Sequence, residues 1–186
     1  LEPDIGTAEK ALVQQCLTDN WVSSAGPYVA DFEQQIAELC GRKYAIATAS
    51  GTAALHLACI SLNIGRDDFV IVPDWTFSAT ANAVIHAGAT PVLVGINPEN
   101  WSLDAAYVAA AIDDLDALPK AVITVDPPAM VADPTWLQAV AGEYDIPIIE
   151  DAAGALGSSL NGQMAGSFGT CSTLSFNGNK ILTTGG

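Results

Sequence analysis

Short runs of apolar and β-branched residues recur along the chain, most of them separated by a longer stretch with helical patterning. Residues 44–49, 69–72, 90–94, 121–125, 146–150 and 171–175 read as strands. A helix is predicted over residues 3–20, capped by Thr7, with Ala8, Leu12, Val13, Cys16 and Leu17 on one face. A second carries Val29, Phe32, Ile36 and Leu39 and ends at Gly41, and a third carries Leu55, Cys59 and Leu62. Further helices run up to Ala87, from a Ser102 cap with Val108, Ile112 and Leu115 inward, and from Asp133-Pro134 with Leu137, Val140 and Tyr144. Parallel strands cannot be joined by a tight turn, so a crossover, normally a helix, must carry the chain back between them. The alternation therefore predicts an α/β fold: a mostly parallel, doubly wound sheet with helices on both faces. Such a sheet collects its ligands at the carboxyl ends of its strands. No Gly-x-Gly-x-x-Gly follows the first strand, which counts against a dinucleotide fold.

At 186 residues, half of them apolar, the chain is long enough for one substantial core, and no repeat or low-complexity linker divides it. Its 21 acidic and 6 basic residues give a net charge of −15, which repels phosphate polymers and anionic lipid. No nucleic-acid or membrane partner is expected, and no apolar run approaches the ~18 residues of a membrane span. Cys16, Cys40, Cys59 and Cys171 are widely spaced in apolar contexts, matching neither a zinc pattern nor a disulfide framework. They read as reduced core residues of a soluble, cytoplasmic protein.

Two segments carry candidate chemistry. Lys180 is one of only four lysines and lies between a Gly-containing polar turn and the apolar pair Ile181-Leu182. A lysine that loses hydration there becomes a neutral amine fit for Schiff-base chemistry, although a snorkelling lysine closing a loop is the plainer reading of this stretch alone. Upstream, Ile146-Pro-Ile-Ile-Glu-Asp-Ala-Ala places Glu150-Asp151 at the end of a buried strand. Pyridoxal phosphate requires a lysine for its aldehyde and an acid that keeps its ring nitrogen protonated, and Lys180 and Asp151 form such a pair. At Ala49-Ser-Gly-Thr-Ala-Ala, Gly51 and Thr52 open a helix whose free N–H groups suit a phosphate, yet the same residues cap ordinary helices. Trp75 and Phe77 follow a strand directly and are equally readable as ring-stacking or core aromatics.

Taken together, Gly26-Pro-Tyr-Val-Ala-Asp-Phe-Glu, Ala49-Ser-Gly-Thr-Ala-Ala-Leu-His-Leu, Pro73-x-x-Thr-Phe-x-Ala-Thr-Ala-Asn, Gly88-Ala-Thr-Pro-Val, Glu150-Asp-Ala-Ala-x-Ala-Leu-Gly and Ser175-Phe-x-x-x-Lys resemble the DegT/DnrJ-type nucleotide-sugar aminotransferases. The resemblance spans nearly the whole chain in order. It implies a fold-type I, pyridoxal-phosphate-dependent enzyme in which Lys180 forms the Schiff base and Asp151 meets the ring nitrogen. It further implies that Gly51, Thr52 and Ser175 hold the phosphate and that Phe77, rather than Trp75, stacks on the ring, leaving Trp75 as wall or core. The implied reaction is ping-pong transfer of an amino group from glutamate to a keto-sugar linked to a nucleotide, in a homodimer. Another fold-type I activity, lyase or desulfurase, and a catalytically silent domain are the alternatives. The chain stops just after Lys180, so residues 1–186 are expected to be an incomplete large domain, lacking a seventh strand and a small domain, with an open sheet edge beside residues 44–49. Few basic residues, Lys10, Arg42, Lys43, Arg66 and Lys120, remain for a diphosphate. Four positions depart from the family pattern: Asp126 for a common His, Ala129 for Gly, Gly95 for Asp, and Gly154 for His, Glu or Gln.

Overall fold

The computed structural model describes residues 2–24, 26–133 and 135–185. The chain divides into two compact units, Leu1–Ala47 and Thr48–Gly186.

The first unit contains helices α1 (Thr7–Thr18) and α2 (Pro27–Leu39). The cap of α1 is Gly6, not Thr7: the Gly6 N–H donates to Glu9 Oε2 at 2.8 Å, and Thr7 is already helical. No residue of α1 is buried, so the predicted inward stripe of Leu12, Val13 and Leu17 faces out. In α2, Pro27 occupies the first turn, where its missing N–H costs nothing, and Ala37 and Cys40 are buried. The predicted strand over 44–49 is not present. Tyr44 and Ile46 are exposed, and the Ala47 N–H donates to the Glu33 carboxylate at 2.7 Å rather than to a ladder. Alternating apolar residues make a stretch compatible with a strand, but a strand exists only where a neighbour supplies ladder partners. Among the described residues none does so here.

The second unit contains α3 (Gly51–Ser61), β1 (Phe69–Pro73), α4 (Ala79–His86), β2 (Thr90–Val94), α5 (Ala105–Asp114), β3 (Ala121–Val125), α6 (Thr135–Tyr144), β4 (Ile148–Asp151), β5 (Ser159–Leu160), β6 (Gln163–Met164) and β7 (Cys171–Thr173). Five strands form one parallel sheet in the order β2-β1-β3-β4-β7, with β7 at one end. Because successive strand residues face opposite ways, β1 splits its side chains between two cores. Val70 and Val72, with Ile123 and Ile149, pack against Leu55 and Cys59 of α3 and Ala83 and Val84 of α4. Ile71, Val122 and Ile148 pack against Leu103 and against Val108 and Ile112 of α5, with Tyr144 of α6 alongside. Each fully buried aliphatic side chain contributes about 1.5–3 kcal/mol. The sheet is therefore covered on both faces.

Two local readings change. Asp104 caps α5 by accepting the Ala106 N–H at 2.9 Å, while the Ser102 hydroxyl donates to Asn100 Oδ1. The β5–β6 hairpin, turning through Asn161-Gly162 with positive φ at both, was not anticipated. Asp133 does open α6, accepting the Thr135 N–H at 2.9 Å. The side chains of Leu137 and Val140, and Gly186, lie outside the described residues.

Candidate active site

Register decides which acid faces which layer. Asp151 is the last residue of β4 and lies on the α3/α4 side with Ile149, whereas Glu150 points to the opposite side with Ile148. Asp151 is 5% exposed, and its Oδ2 accepts the Thr80 hydroxyl at 2.8 Å while Oδ1 accepts the Ala153 N–H at 3.2 Å. Burial pushes its pKa up; the Thr80 and Ala153 hydrogen bonds and the positive charge of Lys180 pull the other way without overcoming it. Lys180 is half-buried in the loop after β7, which closes on itself: the Thr184 N–H donates to the Phe176 carbonyl and the Lys180 N–H to the Asn177 carbonyl, both at 2.9 Å. The two residues paired from the sequence thus share one electrostatic environment.

Gly51 and Thr52 are the first two residues of α3, so their N–H groups have no carbonyl one turn back to bond. The next donor, Ala53 N–H, is already taken by the Ser50 side chain at 3.1 Å. Gly51 is required here because a Cβ would lie 2.9 Å from Ser175 Cβ and 3.1 Å from Ser175 Oγ. Ser175, itself buried, therefore stands directly against the helix N-terminus, and the three residues form a small cradle with the polarity an anion needs. Phe77 lies in the turn between β1 and α4 with 74% of its surface free, which leaves a ring face available for stacking. Trp75 is not core: it is half-exposed and meets Trp101 edge-on, with ring centroids 4.7 Å apart.

Thr80 escaped the sequence reading. It is fully buried in the first turn of α4 and joins Asp151 to Thr76, whose hydroxyl lies 2.8 Å from its own. The available signals were its place in the motif Pro73-x-x-Thr-Phe-x-Ala-Thr-Ala-Asn and its four-residue spacing from Thr76 across a helix start.

On the other side of β4, Glu150 accepts two backbone N–H groups, Gly166 at 2.6 Å and Phe168 at 2.7 Å. Asp126 sits beside it, accepting the Ala132 N–H at 3.0 Å on Oδ1, and its pKa is pushed up to about 8, by burial first and the Glu150 charge second. Ala129 has a left-handed backbone (φ 58°), which accounts for glycine being the common residue there. At Gly154 a Cβ would meet nothing closer than 3.6 Å, so a larger residue fits. All four cysteines are free thiols, and burial pushes the Cys59 thiol up to about 11, too high for a nucleophile. Among the described residues no group of three potential ligands could hold a metal. Among the described residues no helix is long and apolar enough to cross a membrane.

A parallel five-stranded sheet covered by helices on both faces is the fold of the fold-type I aminotransferases. The chain belongs to the DegT/DnrJ/EryC1/StrS aminotransferase family, whose pattern it matches over residues 3–186. It is 43% identical over 183 residues to the GDP-perosamine synthase of Caulobacter vibrioides, covering 98% of this chain and 48% of that protein. The structure of an aminotransferase from Psychrobacter cryohalolentis superimposes with a TM-score of 0.94 at 34% identity, covering 100% of this chain and 47% of that one. A Streptococcus pneumoniae protein assigned as a sugar aminotransferase, solved in its PLP form, superimposes with a TM-score of 0.89 at 30% identity, covering 98% of this chain and 49% of that one. The chain spans about half the length of the curated relatives it matches.

Proposed function

We propose that residues 1–186 form the cofactor-binding part of a pyridoxal-phosphate-dependent aminotransferase that moves an amino group from glutamate to a keto-sugar linked to a nucleotide. The observation that carries this reading is Asp151: a buried strand-end carboxylate, held by only two donors, within the field of the half-buried Lys180. The residues present fit the cofactor, because the slot kept open by glycine at position 51 receives the Ser175 side chain at the helix terminus. In this reading Gly51, Thr52 and Ser175 bind the phosphate, Phe77 covers one ring face, and Asp151 holds the proton on the ring nitrogen. A cationic ring nitrogen favours the ionised form of Asp151, offsetting the upward push of burial. When bound, pyridoxal phosphate supplies the electron sink that accommodates the charge left as a proton leaves the donor's Cα. Lys180 Nζ takes that proton and returns it to the opposite end of the system, acting as the shuttling base. The similarity to a GDP-perosamine synthase supports a nucleotide-linked sugar as acceptor. Family membership supports operation as a cytoplasmic homodimer.

The reading is tested by incubating the protein with pyridoxal phosphate and glutamate and assaying 2-oxoglutarate. Stoichiometric 2-oxoglutarate is expected without an acceptor, with continuing turnover once a nucleotide-linked keto-hexose is added. Elimination or sulfide release in place of transfer would assign a lyase or desulfurase, and no reaction with bound cofactor would assign a silent domain.

A further inference from the structure

Asp151 ends β4 and Phe77 lies in the turn between β1 and α4, 74 positions apart, yet one buried residue is bonded to both. Thr80 donates its hydroxyl to Asp151 Oδ2 at 2.8 Å and its backbone N–H to the Phe77 carbonyl at 3.1 Å. We propose that Thr80 is the positioning residue of this site, setting the separation between the acid that meets the ring nitrogen and the aromatic that meets the ring face. The part of this that concerns a ring rests on the cofactor reading above; the coupling of Thr80 to Asp151 does not.

The hydrogen-bond inventory fixes the direction of the chain. A threonine hydroxyl has one proton to give, and an ionised carboxylate gives none. The Thr80 proton is committed to Asp151, so in the Thr76–Thr80 contact of 2.8 Å Thr76 must be the donor. The order is Thr76 to Thr80 to Asp151, and each donor is polarised by the one before it. Thr80 is fully buried at the second position of α4, and a β-branched side chain in a helix has few rotamers, so its hydroxyl is held before any ligand arrives. Asp151 is thereby kept with one oxygen turned to Thr80 and the other to Ala153. The Phe77 backbone carbonyl is anchored to the same residue.

The test is a carboxyl-carbon NMR titration of the full chain without cofactor, with the Asp151 signal identified by its loss in Asp151→Asn. In Thr80→Val, which keeps the shape and removes the hydroxyl, Asp151 is expected to titrate at higher pH than in the wild type, because burial then acts against one donor fewer. Thr80→Ser is expected to restore the wild-type titration, and Thr76→Val to move it in the same upward direction by less. Pyridoxal phosphate affinity is expected to fall about tenfold in Thr80→Val, as for loss of a hydrogen bond to a charged group. An unmoved titration in Thr80→Val, or equal displacement by Val and Ser, would overturn the proposal. Should Thr80→Val not fold, Thr76→Val at its half-buried turn position decides, and an unchanged titration there overturns it. A wild-type chain that takes up no pyridoxal phosphate would sink the cofactor reading alone, since the titration arms need no ligand.

Discussion

Glu150 and Asp151 are neighbours in sequence and both almost fully buried, at 1% and 5% exposure, but the two sides of β4 use them in opposite ways. Glu150 gives each oxygen to a backbone N–H of the segment leading into β7, and so ties 166–168 to the sheet. That segment turns at Gly169, where a Cβ would lie 2.7 Å from the Ile148 carbonyl. Asp151 instead accepts one side-chain hydroxyl and one weaker backbone N–H, and feels the positive charge of Lys180. The first arrangement is closed on the protein; the second retains lone pairs and charge for something else. Burial of an acid therefore does not mark a site. What distinguishes the two is whether the acceptors are spent on backbone that must be satisfied anyway.

This contrast is broken most sharply by exchanging the acids for neutral groups. Asp151→Asn is expected to leave the fold and cofactor uptake intact while slowing amine transfer by roughly 10²-fold or more, the scale of losing one preorganised electrostatic contact. Single-turnover kinetics with glutamate check this; a normal rate would move Asp151 to the structural side of the comparison. Glu150→Ala leaves two buried N–H groups without acceptors and is expected to cost about 2–5 kcal/mol of stability. Urea denaturation measures it, and a loss confined to activity would reverse the assignment.

A pH-dependent effect concerns Asp126, on Glu150's side. In the unfolded chain its carboxyl titrates near the ordinary value of ~3.9, whereas in the fold it is pushed up to about 8. Between those values the folded form holds a proton that the unfolded form has released, so stability falls as pH rises through this window and levels off above it. Asp126→Asn, whose amide keeps an acceptor for Ala132 and offers a donor toward Glu150, is expected to flatten that slope. Asp151, also raised by burial, leaves a residual one. Denaturation midpoints from pH 4 to 9 decide between a flattened and an unchanged profile.

The sheet was legible wherever a strand is buried on both faces, because β1, and β3 but for Thr124, are then apolar runs that no surface element imitates. Residues 44–49 show the limit: the local pattern is present, but pairing is a long-range property that a run of six residues does not contain. The β5–β6 hairpin failed for the opposite reason, since strands of two residues have no measurable period, although Asn161-Gly162 was a turn signal in plain view. In the candidate site, Lys180, Asp151 and the Gly51 turn could be nominated from the sequence because each proposed chemistry demands a particular residue type. Thr80 was not, since a threonine in a helix start most often caps it. Only the register of β4 against α4 shows that its hydroxyl is aimed at Asp151. The role of Glu150 was hidden likewise, because its partners are backbone groups 16 and 18 residues away.

In the proposed function, the Asp151 side of β4 is a cofactor site with Lys180 as its attached amine. Borohydride reduction of the protein mixed with pyridoxal phosphate, followed by peptide mass mapping, tests it most directly, because the chain has only three other lysines. A stable modification is expected on Lys180 alone, abolished in Lys180→Ala. Modification at Lys10, Lys43 or Lys120 in its place, or no modification of Lys180 at all, would contradict it.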